Sequence, residues 1–425
     1  MKGKRSRERD LRGYGLAFVI RPVGRVHPPG LYRFEYSTVR ASSHDGGTSG
    51  KTGEHGYEHV VYSESAGRGR YDDGGSRVGG GATLPEDLYN EILTKTPLPG
   101  FNAYIGAGSG NGKSAFLNND ATKLNLAAGT PVDYAGSDSL LSATELQNYQ
   151  INSESAFGPL IQVPVAITSI AVPFNVPGLG SLNLTSGQLA RIFADPAVLT
   201  WNDPALGIAN APNADIKVVY RSDENGASEI FLRYLNAINS GLVWSVSNDF
   251  TKVINVNSSS KFVAATGDSG VVNAVNNTPY SIGYAGPDKV DYDNPARVAS
   301  INGLLPAEVN IQAVLQTVTP PSTAADKADP AKWGISNANP EQGYPIVAST
   351  NLLFSQCYKD AGDNLRIREF FNQQYGTVND TAIATHGFVP LRNDWKRAIR
   401  DTFWNANSSL SIGNPNVCNG IGRAQ

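Results

Sequence analysis

The chain has 425 residues, of which 40% are hydrophobic and 17% charged, with 44 Gly, 25 Pro and a formal net charge of −3. Low charge with abundant turn formers excludes a coiled coil, a collagen-like chain and a uniformly disordered one, and the lack of a global basic field argues against nucleic acid as the main partner. At roughly 150 residues per domain, the length allows two to three domains with a large core.

Charge divides the chain near residue 78. Residues 1–78 carry 14 Lys and Arg against 9 Asp and Glu, net +5, and the remaining 21 and 29 give −8. The first part is rich in Gly, Ser, Arg and His (His27, His44, His55, His59) and lacks sustained periodicity beyond a short apolar patch at Leu16 to Ile20, so it reads as a disordered or non-native extension. That patch is shorter than the usual secretory core of about 7 to 15 apolar residues, and no small-residue cleavage site follows it. Met1 is the sole methionine, so a mature domain starting near Gly79 implies processing or another gene start. No membrane span is expected, because the most apolar region, Leu160 to Leu179, is interrupted by Gln162, Pro164, Pro173, Asn175 and Pro177.

From Gly79 onward strand-like and helix-like segments alternate. Phe101–Gly106, Val132–Gly136, Ile161–Val172, Ile216–Tyr220, Ser281–Tyr284 and Ile346–Phe354 read as strands. Thr83-Leu84-Pro85 sets a proline at a helix start before Glu86–Leu93. Ser142 with Glu145 and Thr185 with Gln188 read as capping boxes, and Glu229–Asn236 has apolar residues at helical spacing. This alternation predicts an α/β fold with mainly parallel sheets. Cys357 and Cys418 lack zinc-like spacing; they could be joined or could be two free buried thiols.

Several turns could hold an anion. Ala107 to Ser114 (AGSGNGKS) nearly matches a P-loop but has Ala107 where the first Gly is required, and no partner strand ends in a magnesium-holding Asp. Its glycines still free backbone N–H groups beside Ser109. Gly79 to Pro85 places small residues and the Thr83 hydroxyl at a helix N-terminus, where unpaired N–H groups and the dipole favour negative charge. Arg221 to Ser228 adds a guanidinium to a similar turn, and Tyr134 to Asp138 ends a strand on a carboxylate. Arg221 and Asp138 could also form a plain ion pair.

Taken in this order, the segments resemble the periplasmic-type phosphate-binding proteins of ABC transporters, most closely their DING-type branch. GGGATLP from Gly79, YIGAGSGNGK from Tyr104, YAGSDS from Tyr134, LTWNDP from Leu199, VVYRSDENGAS from Val218, VAATGDSGVV from Val263, TPYSIGYAG from Thr278, TNLLFSQCY from Thr350 and SIGNPNVCNG from Ser411 carry the resemblance over nearly all of Val78 to Gln425. It implies a two-lobed type II flytrap with two crossover strands, lobe 1 from 79–163 and 346–425 and lobe 2 from 164–345. It implies inorganic phosphate as ligand, a possible ABC transporter permease as partner, a monomer, a periplasmic or extracellular location, and neither cofactor nor metal.

By the same resemblance, Thr83 gives a hydroxyl and N–H, Leu84 an N–H, Ser109 a hydroxyl, and Arg221 a pair of charge-assisted bonds. Asp138 discriminates, because hydrogen phosphate can donate a proton to a carboxylate and sulfate cannot. Asn225, Gly226 and Ala227 stand where the family has Ser-Gly-Thr, which costs one hydroxyl at Ala227 and turns another into an amide at Asn225. Ser76-Arg77-Val78 replaces Asp-Ile-Asn. One family disulfide is absent, at Ala190 and Asn239, and the other corresponds to Cys357 and Cys418, which implies an oxidising compartment.

The competing expectation is a secreted alkaline phosphatase-like hydrolase of phosphate esters. After residue 78 the sole histidine is His386, whereas a dinuclear phosphatase site normally draws on several. Asp291 and Asp293 recur like a calcium-loop opening, without the Gly and Glu that should follow. No catalytic residue is therefore assigned.

Overall fold

The structure is a computed structural model that describes residues 76–94, 100–238, 240–335 and 338–424, together with the backbone of two strands nearer the N-terminus. Those strands, Leu16–Ile20 and Tyr36–Arg40, form an antiparallel pair within a first unit, Met1–Gly67. The extension is read over residues 1–78, and the rest of its residues 1–75 lie outside the described residues. Residues 76–78 do not: Arg77 is fully buried and ion-paired with Asp363, and the Val78 N–H bonds Asp133 Oδ2 at 2.8 Å.

Among its described residues the second unit, Arg68–Gln425, has two main sheets and a small parallel pair, Asn183–Leu184 with Ser300–Ile301. Its elements begin with β1 (Gly79–Gly81), α1 (Glu86–Thr94), β2 (Ile105–Gly106), α2 (Ser109–Asn118), β3 (Tyr134–Ser137), α3 (Ala143–Asn152), β4 (Leu160–Ser169), β5 (Phe174–Asn175) and α4 (Ser186–Ala194). They continue through β6 (Lys217–Arg221), α5 (Gly226–Ala237), β7 (Phe262–Ala265), α6 (Gly267–Asn277), β8 (Ser281–Ile282), β9 (Val347–Ser355), α7 (Ala361–Gln374) and β10 (Val389–Pro390). One sheet has the order β10-β4-β9-β3-β1-β2, the other β7-β6-β8-β5.

The expected mainly parallel sheet is corrected to a mixed one. β1 runs parallel to β2 and β3, but β9 is antiparallel to both β3 and β4. The reason is topological: β4 leads the chain out of this sheet, through Ala171 and Pro173 to β5 in the other, and β9 brings it back, so the two crossing strands run in opposite senses. Both are buried along their whole length, polar positions such as Gln162 and Asn351 included, as strands covered on both faces should be.

Pro164 sits inside β4 without an N–H to donate, and the register shifts there: Thr350 opposes Ala166 while Asn351 opposes Pro164, leaving Val165 unpaired. The Pro164 and Val165 carbonyls are met instead by Tyr375 Oη at 3.0 Å and Gln374 Nε2 at 3.1 Å. Both capping boxes form, Ser142 with Glu145 on α3 and Thr185 with Gln188 on α4. Cys357 and Cys418 are joined in a disulfide across 61 residues of sequence.

The glycine-rich run has a packing origin. A Cβ on Gly112 would stand 2.5 Å from Gly81 Cα, so α2 lies directly on β1 only because both residues lack a side chain. This close approach seats the α2 N-terminus beside the ends of β1 and β3, where the candidate site lies.

Candidate functional site

Four segments converge where the strands of the two sheets end. α1 begins behind Thr83 and Leu84, α2 begins at Ser109, β3 ends just before Asp138, and the turn from β6 to α5 carries Arg221 to Ala227. The first N–H groups of each helix have no partner within it, so three N-termini bring donors and positive dipole ends to one place.

The contacts between segments are short. Ser109 Oγ accepts the Asp138 N–H at 3.1 Å. A Cβ on Gly226 would stand 2.9 Å from both Asp138 Oδ2 and Ser109 Oγ, so the start of α5 lies against both. Arg221 Nη2 donates to Thr83 Oγ1 at 3.2 Å. Leu84 is buried against the other sheet's elements, its Cγ 2.7 Å from where a Gly286 Cβ would be. The structure thus brings Thr83, Leu84, Ser109, Asp138, Arg221 and Gly226 together.

Arg221 is wholly buried and pairs with Asp223 and Asp268 rather than with Asp138. Nε bonds Asp223 Oδ1 at 2.8 Å, Nη2 bonds Asp223 Oδ2, and Nη1 bonds Asp268 Oδ2 at 2.8 Å. Of five guanidinium protons, two go to Asp223, one to Asp268 and one to Thr83, a displaceable hydroxyl, which leaves one on Nη1. Burial disfavours the arginine's charge, but Asp268 and Asp223 outweigh it and hold its pKa above the ordinary value.

Asp138 is 3% exposed, and among the described residues neither of its carboxylate oxygens accepts a hydrogen bond of standard geometry. Burial pushes its pKa up to about 7, opposed by the nearby Thr350 hydroxyl and Arg221 and reinforced by Asp268 and Asp288. A buried acceptor without a donor is costly. A ligand that brings a proton to Asp138 and oxygens to the helix ends would relieve that cost.

The two altered positions behave differently. The Asn225 amide is fully engaged as the α5 cap: Oδ1 accepts the Ser228 N–H at 2.7 Å, and Nδ2 donates to Asp223 O at 2.7 Å and Ser228 Oγ at 2.9 Å. Asn225 is 1% exposed. Ala227 is 1% exposed and adds no polar atom beyond its backbone. Sequence reasoning missed Asp223 and Asp268 as partners of Arg221, and Tyr284, whose Oη accepts the Arg221 N–H at 3.2 Å. All three lie inside the quoted segments, but nothing local marks which side chain reaches the arginine.

Lys113, the lysine of the P-loop-like run, is paired with Glu145 on α3 at 3.1 Å and donates to no anion-site group. His386 Nε2 lies 3.0 Å from Glu91. Among the described residues, no group of three or more His, Cys, Asp or Glu is arranged to hold a metal ion, and no helix is long and apolar enough to cross a membrane.

Two α/β lobes joined by paired crossing strands, with helix N-termini facing a buried arginine and carboxylate, define a binding-protein architecture. The model of the PBP superfamily domain matches residues 76–366. Alkaline phosphatase L of Pseudomonas aeruginosa (PAO1) is 42% identical over 351 residues, covering 81% of this chain and 93% of that one. A phosphate-binding protein from an unknown prokaryotic organism is 39% identical over 383 residues, covering 82% and 99%. Among solved structures, the high-affinity periplasmic phosphate-binding protein PfluDING, bound with phosphate at pH 8.5, aligns with a TM-score of 0.75 at 40% identity, over 82% of this chain and 99% of that one. The chain belongs to the periplasmic-binding-protein superfamily and, within it, to the DING-type phosphate-binding family.

Proposed function

We propose that this protein binds inorganic phosphate between its lobes, for uptake or scavenging. The observation that carries the reading is the buried, unpartnered Asp138 carboxylate set against Ser109, Gly226 and the Arg221–Thr83 pair. Thr83 and Leu84 give the hydroxyl and N–H groups of the α1 start, Ser109 a hydroxyl at the α2 start, and Gly226 and Ala227 the N–H groups of α5. Arg221 supplies the cation and Asp138 takes the proton of hydrogen phosphate. The lobes divide as 79–163 with 346–425, and 164–345, so closure brings Arg221 and Gly226 onto Thr83, Ser109 and Asp138. A periplasmic or extracellular setting fits the disulfide and the solved relative called periplasmic. An ABC transporter permease is the partner if the role is uptake.

A second reading, hydrolysis of phosphate esters, has the name Alkaline phosphatase L behind it. Two assays on the purified protein separate the readings: equilibrium phosphate binding with sulfate as competitor, and ester turnover by metal-stripped and metal-loaded samples. Saturable, phosphate-selective binding without turnover supports the receptor. Turnover that disappears in Arg221→Ala and Asp138→Asn would move the site's role to catalysis.

A further inference from the structure

The Arg221 guanidinium is held from two sides by carboxylates of different origin. Asp223 lies two residues along the same turn and takes Nε and Nη2. Asp268 lies 47 residues away, in the first turn of α6, and takes Nη1 at 2.8 Å with its Oδ2. Its other oxygen, Oδ1, accepts the Gly286 N–H at 3.0 Å. Asp268 is 4% exposed and both its oxygens are engaged, so its orientation is fixed by the backbone of a third segment.

Asp223 alone leaves a freedom. Two bonds to Nε and Nη2 hold one edge of the rigid, planar guanidinium but let it tilt about that edge, and the same Nη2 reaches Thr83 Oγ1. Among the described residues, Asp268 is the group that accepts from Nη1. By holding Nη1, Asp268 stops the tilt of the whole planar group, and that fixes where the second Nη1 proton points. Building on the phosphate-binding reading above, we propose that Asp268 is a positioning residue that orients the free Nη1 proton of Arg221 toward the bound anion.

The sign of its effect separates this role from plain electrostatics. Asp268 is a negative charge close to a site for a dianion, so neutralising it should on Coulombic grounds tighten anion binding. If Asp268 orients the donor, neutralising it must weaken binding instead, because Asn would set an N–H donor or a rotated amide against Nη1. The loss of one charge-assisted bond corresponds to about 10- to 100-fold in affinity.

The test compares phosphate dissociation constants, by calorimetry at fixed ionic strength, for the unaltered protein, D268N, R221K and the double variant D268N/R221K. Weaker binding by D268N, with little further loss in the double variant over R221K, supports the assignment, since Asp268 would then act through the guanidinium. Tighter or equal binding by D268N overturns it, as does full additivity. If the unaltered protein shows no phosphate binding, the phosphate reading itself fails, and the assignment with it. Should D268N not fold, nitrogen-15 spectra of the unaltered protein decide: resolved, slowly rotating Nη1 protons support the pinning, and averaged ones overturn it.

Discussion

A Cβ built on Gly226 would stand 2.3 Å from the Cβ of Asp138, so the first residue of α5 and the end of β3 meet with no room for a methyl group. The strands that lead to these two residues, β6 and β3, belong to different sheets. An approach under about 3.0 Å forces something to shift, and here both partners are attached to rigid elements. Gly226→Ala should therefore hold the lobes apart and weaken phosphate binding by about 100-fold or more, because Arg221 and Asp138 would no longer face one anion. Calorimetric titration checks this; an unchanged dissociation constant would show that closure does not bring these residues together.

Asp138 supplies a prediction about pH. Its pKa is raised to about 7 in the fold, against about 3.8 when unfolded, so the folded state binds the proton more tightly. Between those values the native state carries the extra proton, and stability from this group falls as pH rises from about 4 through 7; the penalty is full above pH 7 and gone below 4. Asp138→Asn should stabilise the anion-free protein at pH 8 by up to about 4 kcal/mol and have much less effect near pH 4. Melting curves at both values check the difference. The same variant should lose preference for phosphate over sulfate, since an amide can donate to either.

Ala227→Thr restores a hydroxyl at the α5 start that the family pattern contains. One added hydrogen bond to an anion corresponds to affinity up to about tenfold tighter. Because the Asn225 amide is consumed as the helix cap, the deficit relative to the family pattern rests on Ala227. Equal or weaker phosphate binding by the variant would remove that explanation.

The disulfide closes a loop of 61 residues' separation between the end of β9 and the C-terminal segment. Chain entropy assigns about 4 kcal/mol to such a link. Replacing Cys357 and Cys418 together by Ala should lower the denaturation midpoint while leaving phosphate affinity within about twofold, because neither residue borders the site. A large loss of affinity would mean that the link shapes the cleft.

What the sequence revealed follows the range of the interactions. The capping boxes at Ser142 and Thr185 and the proline-led start of α1 are encoded within four residues, and all form. The crossing strands were legible as long apolar runs because they are buried on both faces. Their antiparallel sense was not, since it depends on the chain's return after it has built the whole of the other sheet. The register shift at Pro164 likewise needs the partner strand. Thr83, Ser109, Asp138 and Arg221 could be picked out because each sits at a helix start or strand end of recognisable composition. Asp268 could not, since its bond to Arg221 spans 47 residues. Asn225 looked like a weakened ligand, yet its first demand is local: an Asn before a helix caps it.

The measurement that bears most directly on anion recognition by Asp138 is an equilibrium titration of the anion-free protein with phosphate and, separately, with sulfate, near pH 8. The expected result is saturable binding of one phosphate per chain, with sulfate at least about 100-fold weaker because it brings no proton to Asp138. Equal affinity for the two anions, or no binding of phosphate, would contradict it.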